Sequence, residues 1–280
     1  MPRDTGLVSA DAENDFLRAR RANALARLGQ RLRREPGDVN LILPFEEVVQ
    51  ALGRADEHEL GLQVITLDSI VGTVDRTREF DRQFRPTSYR VRRRWERIAA
   101  AQRRGEAMPP ISVYRIGELH FVRDGHHRVS VARAMRRPDI DAYVTEVHTR
   151  VGPSRAITLA DLPVKSHERL FRERVPLSAE ARERIEVGDA WAWGDLAETV
   201  EAWGFRVMQE RGEFMDRPAV AQAWYRDEYV PVVDMLREAD LIGRGSETEA
   251  YLRVAAARYR LLHTHRWDEA IVARLARELR

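Results

Sequence analysis

The feature that most constrains the fold is a switch of hydrophobic period along the chain. From residue 62 to 147, short apolar runs with strand character alternate with helical patterns; past Gly152-Pro153 only helical spacing remains. Leu62-Gln63-Val64-Ile65-Thr66-Leu67 reads as a strand. An arginine- and aromatic-rich loop, Thr73 to Tyr89, leads into a helix from about Val91 to Arg104, closed by Gly105. Pro109-Pro110 introduce the strand Ile111 to Ile116, and Gly117-Glu118 turn it into a hairpin partner, Leu119 to Arg123. A turn at Asp124 to Arg128 opens a helix through Arg137, which Pro138 stops before a strand at Ile140 to Val144. Such alternation predicts a compact α/β (α+β) unit.

The flanks read differently. Ser9 with Asp11 and Glu13 marks a helix start, and Leu17, Ala24, Leu28 and Leu32 recur at helical spacing to about Arg34. Pro36-Gly37-Asp38 breaks that pattern, and Pro44 opens a second short helix whose Val48, Val49 and Leu52 point inward. On the other side lie helical patterns at 178–187, 195–210, 218–238, 246–262 and 267–279, with tryptophans 191, 193, 203, 224 and 267, which predict an aromatic core. Pro231 predicts a kink or break near Tyr229. The expected organisation is an N-terminal helical extension (1–60), an α/β domain (61–150) and an all-helical C-terminal domain (151–280) of unknown role.

Composition excludes more than it assigns. The chain has no cysteine, so disulfides, thiolate catalysis and cysteine-ligated zinc or iron–sulfur sites are excluded. No run of about 18 apolar residues would span a membrane, and Met1-Pro2-Arg3-Asp4 lacks the apolar stretch of a signal peptide; a cytoplasmic protein is expected. Residues 76–104 carry eleven arginines against Glu79, Asp81 and Glu96. Most of such a cluster is a solvated or ion-paired face, but its position just before the 124–128 turn marks Arg78 and Arg85 as candidate phosphate contacts.

The 124–128 turn carries the chemistry. A strand ends, a glycine permits a tight backbone approach, and a helix begins whose first N–H groups attract anions. Arg128, His126 and His127 add donors beside that helix end, a set suited to a polyphosphate. Asp124 stands where it can cap the helix, hold a metal or accept a proton. His120, Asp124, His126 and His127 also have a spacing compatible with zinc, against strand-packing and capping roles.

Asp124-Gly125-His126-His127-Arg128, followed by Val129-Ser130-Val131-Ala132-Arg133-Ala134, resembles the Gly-x-x-Arg motif and helix of the ParB/sulfiredoxin superfamily. Its Asp-Gly-His-His-Arg form is most similar to the branch that phosphorylates free serine. The likeness covers about residues 62–147, with Val64 to Ile70 and Val71-Gly72-Thr73-Val74-Asp75 as the family's opening strand and loop. It implies a nucleotide site floored by Arg123 to Arg128, and an acidic loop residue acting as base, for which Asp75 is the counterpart. Sulfiredoxin chemistry needs a cysteine where His126 and His127 stand, which excludes it. The helix-turn-helix and second nucleotide motif of partition proteins are not found in 151–280.

Two readings follow. One is a phosphotransferase or NTPase that takes ATP/ADP or CTP with Mg²⁺. Gly125, His126, His127 and Arg128 would hold phosphates, Asp124 or Asp75 would serve as base or metal ligand, and a small molecule would be the phosphate acceptor. The other is a non-catalytic nucleotide switch or DNA-binding protein whose arginines contact a phosphate backbone. A nuclease fits less well, because no dense carboxylate cluster could hold two metals.

Overall fold

The computed structural model describes residues 5–34, 40–154 and 157–279, in two compact units, Met1–Leu162 and Pro163–Arg280. The predicted break at Pro36-Gly37-Asp38 lies outside the described residues, as does the Met1–Asp4 segment.

The first unit is mixed α/β. Its elements are α1 (Val8–Leu32), β1 (Leu43–Pro44), α2 (Phe45–Leu52), β2 (Arg54–Thr66), β3 (Ile70–Thr73), α3 (Arg92–Arg103), β4 (Ile111–Ile116), β5 (Leu119–Asp124), α4 (His126–Ala134) and β6 (Asp139–Thr149). The strands form one sheet in the order β1-β3-β5-β4-β6-β2. β4–β5 and β2–β6 pair antiparallel; β1–β3, β3–β5 and β4–β6 pair parallel. The predicted hairpin is present, with Gly117 at φ 56° in its turn. The single strand expected at Val64 to Ile70 is instead two. β2 ends at Thr66 on one edge of the sheet, a 3₁₀ turn covers Leu67–Ser69, and β3 begins beside β5, so the chain must cross between them. β2 also starts at Arg54 rather than Leu62, because its first residues pair with the far end of β6 while their side chains stay largely exposed.

α1 shares the sheet unit's core. Phe16 meets Trp95 of α3 edge-on at 5.6 Å, and both are fully buried. The inward face of α1 is not the leucine stripe: Leu28 and Leu32 are exposed, while Ala12, Phe16 and Ala19 are buried with Asp11 and Asp15. The reason is electrostatic. Arg103 donates to Asp15 Oδ2 at 2.9 and 2.7 Å and stands 3.7 Å from Asp11, so two buried carboxylates are matched by a guanidinium from α3. On α2, Val48, Val49 and Leu52 are buried as predicted.

The second unit is helical, with α5 (Leu162–Arg174), α6 (Ala179–Arg184), α7 (Ala190–Arg211), α8 (Arg217–Trp224), α9 (Val230–Glu238), α10 (Glu247–Leu262) and α11 (Glu269–Glu278). A π-helical turn, Tyr225–Tyr229, separates α8 from α9 immediately before Pro231. Proline has no N–H to give the preceding turn and its ring crowds a carbonyl there, so the ladder widens. Trp193, Trp203 and Trp224 are buried in the core, whereas Trp191 is exposed. Among the described residues, no helix is long and apolar enough to cross a membrane.

Candidate phosphate-binding site

β3 and β5 are parallel neighbours, with Thr73 opposite Val122, so their carboxyl ends open on the same edge of the sheet. The chain leaves β5 at Asp124 and enters α4 through Gly125, whose φ is 102°. A Cβ there would lie 2.4 Å from Ile111 Cγ2, so glycine is required by both conformation and space. No side chain caps the start of α4. The N–H groups of its first turn therefore remain for a ligand or water. Asp124 is not the cap, because it belongs to β5 and its carboxylate turns to Arg128.

From the end of β3, the Thr73 hydroxyl lies 2.7 Å from His126 Nε2. The same oxygen accepts the backbone N–H groups of Asp75 (3.3 Å) and Arg76 (3.1 Å). With its lone pairs engaged, the hydroxyl hydrogen is directed at the imidazole, which assigns His126 the neutral Nδ1–H form. Burial pushes His126 down to about 4, against a smaller opposing pull from Asp75, whose Oδ1 is 3.5 Å from Nε2. Burial, reinforced by Arg94, likewise holds His127 down at about 4. Both rings pack on Phe80, His126 parallel and His127 edge-on. The two imidazoles are thus neutral near pH 7 and contribute hydrogen bonding rather than positive charge.

Arg128 is not poised as an open fork. Its Nη1 donates to the carbonyls of Pro109 (2.5 Å) and Pro110 (2.7 Å), and Nη2 to Asp124 Oδ2 (2.5 Å). It fastens the entry to β4 against α4, because two proline carbonyls and a carboxylate are the nearest acceptors its buried stem allows it to reach. Two other arginines line the small recess at Gly125: Arg76, just beyond β3, and Arg94 of α3. Glu79 accepts from Arg76 Nη1 at 2.9 Å on both oxygens and raises its pKa, with lesser pulls from Asp75 and Asp124. The recess, about 30 Å³, takes a phosphate-sized group at most, so the sugar and base of a nucleotide would lie outside it.

The other proposed arginines stand elsewhere. Arg78 is exposed and does not line the recess. Arg85 is committed to buried Asp81, donating from Nε at 2.7 Å, and to the Ala22 carbonyl of α1. Asp81 needs that partner because it is 7% exposed. Sequence reading missed Arg76, Arg94 and Thr73. Thr73 and Arg76 flank Asp75 closely enough to be suspected, but only the docking of α3 on α4 brings Arg94 in, through the 2.8 Å hydrogen bond from Trp95 Nε1 to Ser130.

The zinc pattern does not assemble. His120 Nδ1 is 2.8 Å from the Ser69 hydroxyl and His126 faces Thr73. Among the described residues, no group of three or more histidines or carboxylates is placed to hold a metal ion. Mg²⁺ asks less of a protein, commonly one or two carboxylates plus the substrate's phosphates, and the exposed side chains of Asp75 and Asp124 beside the recess fit that demand. The chain matches no family model, no curated protein and no solved structure.

Proposed function

We propose that the recess at Gly125 binds a terminal phosphate of a nucleotide, in a domain of the ParB/sulfiredoxin type, and that the protein is a phosphotransferase or NTPase. The observation that carries this reading is the convergence, at the carboxyl ends of two parallel strands, of an uncapped helix start with Thr73, Asp75, Arg76, His126 and Arg94. Crevices at such strand ends are where open α/β sheets take their ligands. Asp75 is the proton acceptor: its carboxylate is exposed beside His126, 3.5 Å from Nε2, and forms no ion pair with a guanidinium among the described residues, whereas Asp124 is held by Arg128. Mg²⁺ arriving with ATP, ADP or CTP would be held by Asp124 and would supply charge neutralisation at the phosphates. A non-catalytic nucleotide switch, or a DNA-binding role, is the second reading. It is favoured by Arg90, Arg93 and Arg97, which make no ion pair among the described residues.

A thermal-shift series with ATP, ADP, CTP and GTP, each with Mg²⁺, tests binding, because a ligand of the folded state raises Tm by mass action. R94Q should weaken the responding nucleotide about tenfold, the scale of one charged hydrogen bond. D75N should then lower turnover by a factor on the order of 10² with binding retained. A series without any Tm response would reject the site; binding without turnover for any acceptor would leave the switch.

A further inference from the structure

We infer that a second cavity, at the opposite end of α4 from Gly125, binds a small phosphorylated organic molecule. The cavity, about 520 Å³, is walled by α1, the 83–85 loop, the Leu67–Asp68 turn and the carboxyl end of α4. That volume lies within the usual range for small-molecule sites, about 300–1,000 Å³, whereas the Gly125 recess takes only a phosphate-sized group. α4 is nine residues long, so the two sites stand about 13 Å apart along its axis.

Five guanidiniums line this cavity against two carboxylates, Asp15 and Asp68. Arg18 and Arg85 are already ion-paired, with Asp15 and Asp81. The other three, Arg133, Arg136 and Arg137, have no carboxylate partner among the described residues. Arg133 is the most telling. It donates to the Gln83 side chain at 2.7 Å and to the carbonyls of Leu67 and Ile70, all neutral acceptors, and its buried Nε has no partner at all. Burial lowers its pKa against smaller opposing pulls from Asp68 and Asp81, neither of which stands within ion-pair distance, so the fold holds a largely buried cation there with only partial compensation. Elsewhere in this unit the buried carboxylates Asp15 and Asp81 each meet an arginine.

Arg136 lines the same cavity. It closes α4 at φ 58°, a left-handed position that favours glycine and that Arg34, Asp240 and His263 also occupy at the ends of α1, α9 and α10. What Arg136 contributes to the site is its guanidinium, beside those of Arg133 and Arg137. Bidentate forks suit phosphate oxygens, and Ala19, Ala22 and Ala134 supply an uncharged wall for an organic body. The concave walls favour a small molecule over the backbone of a duplex.

The test uses the full chain, titrated by calorimetry with phenyl phosphate and pyrophosphate, with phenol as the uncharged control. Both anions should bind and phenol should not. R136G and R137Q should each weaken one phenyl phosphate binding event about tenfold, and that Arg136-dependent event should persist in R94Q, whose effect is confined to phosphate taken up by the Gly125 recess. R136G should also keep or raise Tm, since glycine relieves the left-handed strain. The inference is overturned if neither anion binds, or if R136G binds phenyl phosphate like the wild type. It is equally overturned if R136G lowers Tm, which would make Arg136 a helix-end residue, or if duplex DNA alone shows dependence on Arg136 and Arg137.

Discussion

The two units bury polar groups in different proportions: among the described residues, six acidic or basic side chains are buried in the α/β unit and two, Glu168 and Arg258, in the helical unit. The α/β unit takes ionisable side chains inside: Asp11, Asp15, Asp81, His120, His126 and His127 are all buried. The helical unit is built around aromatic rings whose polar tips find each other. Trp224 packs 5.1 Å from Tyr229 and 5.9 Å from Tyr251, the Tyr229 hydroxyl lies 2.7 Å from that of Thr248, and Trp224 Nε1 reaches the Tyr251 hydroxyl at 3.3 Å. The difference follows from architecture. A sheet with parallel strand ends and a helix start offers fixed backbone polar groups and loop side chains to an interior charge. A bundle face offers mostly side chains, so it favours rings with a single polar atom.

The largest expected effect is on pH stability, and it has opposite ends in the two units. His120, His126 and His127 are each held at about 4 by burial, against an ordinary value of 6.5. Below 6.5 the unfolded chain binds protons that the folded unit refuses, so stability falls as pH drops through that window, by on the order of 3 kcal/mol per imidazole near pH 4. Two buried tyrosines of the helical unit shift the other way. Burial lifts Tyr229 to about 12 and Tyr251 well above its usual 10. Their contribution is complete below pH 10 and is lost as pH rises through the folded values. Hydrogen exchange read by mass spectrometry should show residues 40–150 opening first at pH 4.5 and residues 190–275 opening first above pH 10.5. Both units opening together at both extremes would break the comparison.

Point substitutions sharpen it. W224A removes a fully buried ring from the helical core and should cost about 3–5 kcal/mol in denaturant titration. G125A places a methyl against Ile111 at a left-handed position and should cost about 2–4 kcal/mol. The first should leave nucleotide binding intact if the site is confined to the α/β unit; the second should abolish it by displacing the start of α4.

Legibility in the sequence divides along similar lines. The β4–β5 hairpin and α4 were readable because Pro109-Pro110, Gly117 and Gly125 punctuate clear alternation. The first half of β2 was not, because Arg54, Asp56 and His58 show no buried face: the strand exists through its ladder to β6. α5 escaped notice because Pro163, Lys165 and His167 blur its period. At the site, Gly125, His126 and Asp75 were legible as a local motif. The arginines were not, since Arg103 is paired with Asp15 across 88 positions and Arg85 with α1 across 63. Which guanidiniums remain for a ligand is decided by acceptors that no local pattern reveals.

The smallest predicted effect compares one hydroxyl from each unit. In the α/β unit, buried Trp95 Nε1 donates to the Ser130 hydroxyl at 2.8 Å; in the helical unit, buried Tyr229 shares its hydrogen bond with Thr248 at 2.7 Å. S130A and T248V each leave a buried donor without an acceptor and should cost about 1–3 kcal/mol, mostly as the penalty of the orphaned group. Removing the orphan as well distinguishes the units. Y229F added to T248V should recover most of the loss, because the remaining surfaces are apolar on both sides and phenylalanine keeps the ring. W95F added to S130A should recover less, since phenylalanine leaves a void where the larger indole packed against Phe16 and α4. Denaturant midpoints for the wild type and six variants, the four single substitutions S130A, W95F, T248V and Y229F and the two doubles, complete two double-mutant cycles. Equal recovery in both would mean that the indole at Trp95 serves only to carry its N–H. Unequal recovery in the stated direction would mean that its shape also fixes α3 on α4, and with it the approach of Arg94 to the Gly125 recess.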